Sequence, residues 1–258
     1  MLVWNFKEAW FAQAPRLKVL ATPAAGQEFV PTKGPKGVRI HFGHFHGEIM
    51  SESVAAFVLA WAKGFFAVRN APAACRVWPR TWLSDKCFDV AGTRAVIVGY
   101  GHVGRAIGAK LAALGVDVYG LTRHGAFHGN RRFEHSDVRA ILREADWLVM
   151  ALPSTTGTDD ILDAALIRRL PRRCVVVNVG RGNAVDEKAL FRALKAKRLA
   201  GAYLDVRKHE PSATVLESPG YVPELADLPN CISMPHASAF SSRYLKRCFE
   251  ELNDDGCL

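Results

Sequence analysis

Residues 94–114 read RAVIVGYGHVGRAIGAKLAAL, and this stretch decides the fold. The apolar run Ala95–Val98, rich in β-branched residues and entering a glycine turn, predicts a strand of a parallel sheet covered on both faces. Gly99, Gly101 and Gly104 follow in the spacing G-x-G-x-x-G, and an apolar-periodic helix (Ile107, Leu111, Leu114) stands behind them. In a dinucleotide-binding unit the first glycine permits the tight turn, the second lets the backbone approach a pyrophosphate, and the third lets the helix pack on the strand. The pyrophosphate would rest on the N–H groups at the helix start, around His102 and Val103. Three glycines alone are weak evidence; leaving a strand, opening a helix and preceding a second strand, they are a strong signal.

That second strand, Val116–Leu121, ends at Thr122-Arg123-His124, where an NAD site usually carries an Asp or Glu on the ribose. A carboxylate there would repel a 2′-phosphate. Thr122 and Arg123 instead offer a hydroxyl and a guanidinium fork that suit one, which favours NADP(H) over NAD(H). The alternative is that Arg123 points into water.

Around this core, strands are expected at Leu17–Ala21, Gly37–Phe42, Trp147–Leu152, Cys174–Val179, Ala200–Val206 and Cys231–Met234. Helices are expected at Ser51–Phe66, Ser136–Glu144, Asp159–Leu170, Asp186–Ala196 and from Ser241 onward. Strand and helix alternate, which gives an α/β fold with a doubly wound parallel sheet. A Pro- and Trp-rich link covers Ala71–Leu83; Trp78 and Trp82 could close a cleft or a dimer contact, with core packing the default for such large apolar rings.

The 258 residues, 49% hydrophobic and 23% charged, can bury a sizeable core. Six cysteines without C-x-x-C spacing read as reduced thiols of a cytoplasmic protein rather than a zinc site or disulfide framework. The longest apolar stretch, Ser53–Phe66, carries Lys63 and is too short to span a bilayer, so no membrane role is expected. The net charge of +9 is spread in short clusters without interleaved aromatics, which does not point to nucleic acid but would gather anionic substrates and a phosphorylated cofactor. The histidines His41, His44 and His46 have no recognised metal-ligand spacing, and they read as loop residues lining a cleft, with no metal.

Chemistry is expected beyond the carboxyl ends of the strands. Arg181 follows CVVVNVG, Glu210 follows AYLDV and His236 follows CISMP, each about one strand–helix unit from the next. An Arg, a carboxylate and a His are what 2-keto-acid reduction needs. The Arg grips the substrate carboxylate in a two-pronged pair, and the His protonates the carbonyl oxygen. The Glu fixes the imidazole tautomer and favours its protonated form.

GYGHVG, LPSTTGT (152–158), NVGRG (178–182), LDVRKHEP (204–211) and PHASA (235–239) resemble, in order, the motif series of the D-isomer-specific 2-hydroxyacid dehydrogenases, in particular the glyoxylate/hydroxypyruvate reductase branch. The resemblance implies a Rossmann NAD(P)-binding domain at 71–240. It also implies an incomplete flavodoxin-like substrate domain from 1–70 with 241–258, homodimers, and the catalytic set Arg181, Glu210 and His236. Leu152, Pro153 and Thr158 would border the adenosine half of the cofactor. Val179, Gly180 and Asp205 would lie near the nicotinamide, Ser238 would also bind the cofactor, and Ala25 and Gly26 would turn backbone N–H groups to the substrate carboxylate. Against the family pattern, about one βαβ unit of ~30 residues is missing before Leu2, so an unpaired strand edge is expected. Similar folds in corepressors of the C-terminal-binding-protein type offer a second reading, a dinucleotide-sensing interaction protein. A third is an inactive homologue that keeps the cofactor. Formate dehydrogenases pair their His with Gln, which Glu210 disfavours.

Overall fold

The computed structural model describes residues 1–26, 29–73, 77–128, 131–133, 138–210 and 222–257. Cys75, Pro211 and the start of the helix expected from Ser136 lie outside them. The strands are β1 (Val19–Thr22), β2 (Arg39–Phe42), β3 (Arg94–Val98), β4 (Asp117–Thr122), β5 (Gly125–His128), β6 (Arg131–Phe133), β7 (Trp147–Met150), β8 (Val175–Asn178), β9 (Gly201–Leu204) and β10 (Cys231–Ser233). The helices are α1 (His46–Ala62), α2 (Phe65–Arg69), α3 (Arg80–Ser84), α4 (His102–Ala113), α5 (Val138–Leu142), α6 (Ala164–Ile167), α7 (Glu187–Lys195), α8 (Glu224–Asp227) and α9 (Tyr244–Asp254). By packing, the chain divides into a larger unit, Met50–Ser238, and a smaller one, Met1–Ile49 with Ala239–Leu258.

The larger unit is a Rossmann fold built on an eight-stranded sheet in the order β10-β9-β8-β7-β3-β4-β5-β6. The first six strands run parallel, and β5 and β6 add an antiparallel hairpin to the edge of β4. Side chains alternate across the sheet, as a strand's period of two requires. On one face Ala95, Ile97, Trp147, Val149, Val175 and Val177 pack with Ile107 and Leu111 of α4. On the other, Val96, Leu148, Met150, Val176 and Leu204 pack with Leu190 and Leu194 of α7. Burial on both faces explains why these strands read as unbroken apolar runs rather than as alternating ones. Trp147 is fully buried, and its indole N–H donates to Thr93 Oγ1 at 3.0 Å, so its one polar atom is satisfied. Strand β3 pairs with β4 on one side and β7 on the other, so the chain reverses its direction of winding at β3 and opens a crevice beyond the carboxyl ends of β3 and β7.

The smaller unit carries the parallel pair β1–β2, in register Val19 with Arg39 through Thr22 with Phe42. Leu20 packs with Phe6 and Val30, and Cys248 and Leu252 of α9 pack with Ala21. On its β1 side the pair is met by the first residues of the chain: Leu2 bridges Ala21 in parallel, and Val3 N–H donates to the Ala21 carbonyl at 2.9 Å. His41, His44 and His46 all engage α9. His41 Nε2 lies 2.9 Å from Glu251 and its Nδ1 3.5 Å from Asp255, the His44 N–H donates to Glu251, and His46 Nε2 bonds the Tyr244 hydroxyl at 2.9 Å.

Other expectations change locally. Gly64, at φ 72°, ends the long helix and starts α2, because a left-handed residue cannot continue an α-helix. The helix expected over 159–170 shrinks to α6, since Asp163 caps it by accepting from Leu166 N–H and Leu162 is drawn into a bridge with Val185. Trp78 is no core residue: it is 81% exposed.

Candidate functional site

The crevice floor in the larger unit is made of backbone. Gly99 has φ 93°, and a Cβ on it would stand 2.5 Å from the Ala151 carbonyl oxygen at the end of β7. A Cβ on Gly180 would stand 2.5 Å from Leu152 N, so the turns after β3, β7 and β8 approach main chain to main chain. Gly104 backs onto the Gly99 carbonyl in the same way. At Gly101, by contrast, a Cβ would meet nothing within 4 Å. This opening at the N-terminal end of α4, with His102, Val103 and Gly104 as its first residues, fits a dinucleotide pyrophosphate.

At the end of β4, Thr122 Oγ1 accepts from His124 N–H at 3.1 Å and lies 3.3 Å from the Gly125 carbonyl, stapling the turn into β5. Arg123 is exposed on that turn. Leu152 is half-buried and Pro153 exposed, and Thr158 Oγ1 bonds the Pro153 carbonyl at 2.8 Å and accepts Thr155 N–H at 2.9 Å. Thr158 therefore shapes this loop through its own hydroxyl. Val179 packs into the core and offers the crevice only its backbone.

The residues expected to do chemistry gather at the carboxyl ends of β8, β9 and β10. Asn178 holds the first loop, with its amide donating to the Arg181 carbonyl at 3.1 Å and its Oδ1 accepting Gly180 N–H at 3.2 Å. Asp205, 1% exposed, holds the last. Its Oδ1 accepts from Ala237 N–H at 2.8 Å and Ser238 N–H at 2.9 Å, its Oδ2 takes the Ser238 hydroxyl, and its carbonyl takes His236 N–H at 2.8 Å. His236 sits at φ 55°, a left-handed conformation costly for a residue with a Cβ and retained where the surroundings over-determine it. The polar groups of Asp205 and Ser238 thus face each other.

His236 Nδ1 lies 3.0 Å from Glu210 Oε2, and Glu210 Oε1 accepts Arg207 N–H at 3.1 Å. The Glu210 hydrogen bond raises the His236 pKa against partial burial, with the charges of Glu210 and Asp205 helping and that of Arg181 opposing. For Glu210, burial pushes upward, but the His236 and Arg207 hydrogen bonds and the charges of His236 and Arg181 bring it below the ordinary carboxylate value. Arg181, half-buried, is thus close enough to act on both. Such an assembly holds a half-exposed imidazole in one tautomer, with Nε2 free of the Glu210 bond, near a guanidinium. It can deliver or accept one proton beside a bound anion.

Ala25 and Gly26 follow β1 in the smaller unit, where Thr22 Oγ1 accepts Ala24 N–H at 3.2 Å. Two residues behind the site were given no role by the sequence: Glu187 at the start of α7 and Arg207 within LDVRKHEP, both 5% exposed and paired with each other. The signal available was the charged Arg207 directly after the apolar strand run.

Residues 55–238 match the family model for the NAD-binding domain of D-isomer specific 2-hydroxyacid dehydrogenases. The chain is 32% identical over 246 residues to the glyoxylate/hydroxypyruvate reductase B of Pectobacterium carotovorum, covering 90% of this chain and 72% of that one. It is 30% identical over 249 residues to the glyoxylate reductase of Korarchaeum cryptofilum, covering 93% and 72%. Among solved structures, the NADPH-dependent glyoxylate/hydroxypyruvate reductase of Sinorhizobium meliloti, in complex with NADP and sulfate, superposes with a TM-score of 0.74 at 28% identity, covering 99% of this chain and 81% of that one.

Proposed function

This chain belongs to the D-isomer specific 2-hydroxyacid dehydrogenases, NAD(P)-dependent oxidoreductases, and on that premise we propose that it reduces small 2-keto acids such as glyoxylate or hydroxypyruvate, with NADPH preferred. The observation that carries this reading is the His236–Glu210 pair, 3.0 Å apart, with the imidazole biased toward its charged form and Arg181 near enough to act on both.

When bound, the reduced cofactor supplies a hydride to the substrate carbonyl carbon. His236 holds the proton that the carbonyl oxygen needs as its charge develops, on Nε2, because Glu210 occupies Nδ1. Arg181 binds the substrate carboxylate in a charge-assisted pair and orients the carbonyl. Gly99, Gly101, His102, Val103, Gly104, Leu152, Pro153 and Thr158 form the dinucleotide cradle, and Thr122 with Arg123 receive a 2′-phosphate. Asp205 and Ser238 support the nicotinamide end by fixing the loop that carries His236. Ala25 and Gly26 remain assigned to the substrate carboxylate by motif resemblance. The domain limits 71–240 for the cofactor and 1–70 with 241–258 for the substrate are proposed on the same basis.

A homodimer is proposed from the family. Placement in the cytoplasm is proposed from cysteine usage, the described cysteines all being free thiols. Among the described residues no helix is long and apolar enough to cross a membrane. The test is a spectrophotometric panel of glyoxylate, hydroxypyruvate, pyruvate and phenylpyruvate with NADPH and NADH. Turnover of glyoxylate and hydroxypyruvate with NADPH is expected. Failure of all four with either cofactor, in protein that still binds dinucleotide, would overturn the proposed activity.

A further inference from the structure

Behind Glu210 lies an ion pair that the reaction as described leaves without a part. Arg207 Nε is 3.0 Å from Glu187 Oε1 and its Nη2 is 3.2 Å from Oε2, a two-pronged pair with side chains only 4% and 5% exposed. The remaining donors of Arg207 reach Ser233 Oγ at 3.3 Å and the Val222 carbonyl at 2.6 Å. Glu187 Oε1 also accepts Lys208 N–H at 2.8 Å. Glu187 is the first residue of α7, whose start Asp186 caps by accepting Ala189 N–H at 2.9 Å, so the carboxylate stands on a rigid platform where a helix dipole favours negative charge. The same segment then supplies Arg207 N–H to Glu210 Oε1 at 3.1 Å.

We propose that Glu187 and Arg207 are positioning residues for keto-acid reduction, a buried clasp that fixes segment 207–210 so that Glu210 stays on His236. The proposal rests on the reductase reading above and adds residues to it. Two further facts favour direction-setting over mere adhesion. A Cβ on Gly182 would stand 2.0 Å from the Arg207 carbonyl carbon, so the clasped segment also lies against the backbone just after Arg181 and sets that loop too. A two-pronged guanidinium–carboxylate pair fixes angle as well as distance, which an apolar contact of equal volume does not. The neighbouring pair of Lys208 with both Asp160 oxygens at 2.8 Å is partly exposed and serves as a matched control.

The experiment uses the full chain in four forms: wild type, the double variant Glu187→Leu with Arg207→Met, Arg207→Lys, and Lys208→Gln. Replacing both charges of a buried pair usually keeps the fold, whereas removing one strands the other. In the double variant kcat for glyoxylate reduction should fall about 10- to 100-fold, the cost of a misplaced catalytic group. NADPH affinity should stay within about threefold, because the pyrophosphate turn at Gly99 to Gly104 stands on elements other than the clasp. The loss of rate at rising pH, and the titration of His236 followed by NMR, should both move to lower pH as Glu210 leaves the imidazole. Arg207→Lys, which keeps one prong, should fall between, and Lys208→Gln should remain within about twofold. A folded double variant whose His236 titration is unmoved overturns the clasp. If the double variant does not fold, an unmoved titration in Arg207→Lys overturns it instead. Should wild type reduce none of the acids, the reductase reading falls alone, because the NMR titration still decides whether the clasp holds Glu210.

Discussion

Replacing Asp205, itself 1% exposed, by alanine removes the acceptor for Ala237 N–H, Ser238 N–H and the Ser238 hydroxyl. Hydrogen bonds to a charged group contribute roughly 1.5–3 kcal/mol each, which sets a ceiling of roughly 5–9 kcal/mol. Water entering the space of the lost carboxylate satisfies part of this demand, and the expected cost is about 3–4 kcal/mol. The effect also reaches the chemistry. The backbone of His236 is held at φ 55° by the turn these bonds define, so its release lets the imidazole leave Glu210. Asp205→Asn should be milder, about 1–2 kcal/mol, because the amide oxygen still accepts both N–H groups and the amide nitrogen can donate to Ser238 Oγ. Urea unfolding of the three proteins gives the stabilities, and glyoxylate turnover under saturating NADPH gives the rate. Asp205→Ala should lose rate about 100-fold even where it is folded. A loss under 1 kcal/mol with turnover unchanged would refute the view that this carboxylate builds the His236 turn.

Three further outcomes follow from the same geometry. His236→Gln should lower kcat for keto-acid reduction about 100-fold or more while leaving dinucleotide binding in place, and a few-fold effect in steady-state kinetics would reject it as the acid. Reduction needs protonated His236, so rate should fall as pH rises through its raised pKa. Glu210→Gln keeps an acceptor for Nδ1 but removes the negative charge that strengthens that bond and helps raise the pKa, so it should bring that fall to lower pH, which a pH–rate profile checks. Arg123→Asp should shift selectivity from NADPH toward NADH by at least about tenfold in kcat/KM, and unchanged selectivity would place the 2′-phosphate elsewhere.

The strand and glycine turn at 95–104 were legible because both faces of β3 are buried and the turn has a backbone requirement that only glycine meets. The grouping of Arg181, Glu210 and His236 was legible for a related reason. Parallel strands bring their carboxyl ends to one edge, so residues far apart in sequence must converge there. The hairpin β5–β6 was not legible. Its short strands run through Gly125, His128 and Arg131 without an apolar period, and they form by pairing onto the free edge of β4, a tertiary cause. Gly64 did carry a readable stop inside an otherwise apolar helix. The Glu187–Arg207 pair left no trace in spacing, since its partners sit on different elements and meet only in the folded unit. Motif resemblance put Asp205 near the nicotinamide, while its hydrogen bonds show what its carboxylate does within this chain: it organises the next loop.

The contact of Gly99 and Gly180 with the main chain of Ala151 and Leu152 has a consequence for how this protein can change. A floor of backbone takes its shape from strand register, so substitutions there can break it but have no side chain to tune. Variation that alters the preferred nucleotide should therefore collect on the rim, at Thr122, Arg123 and His124, and leave the floor untouched. In a library randomised across both regions, survivors would be diverse at the rim and monotonous at the floor. The fold thereby separates what can drift from what cannot.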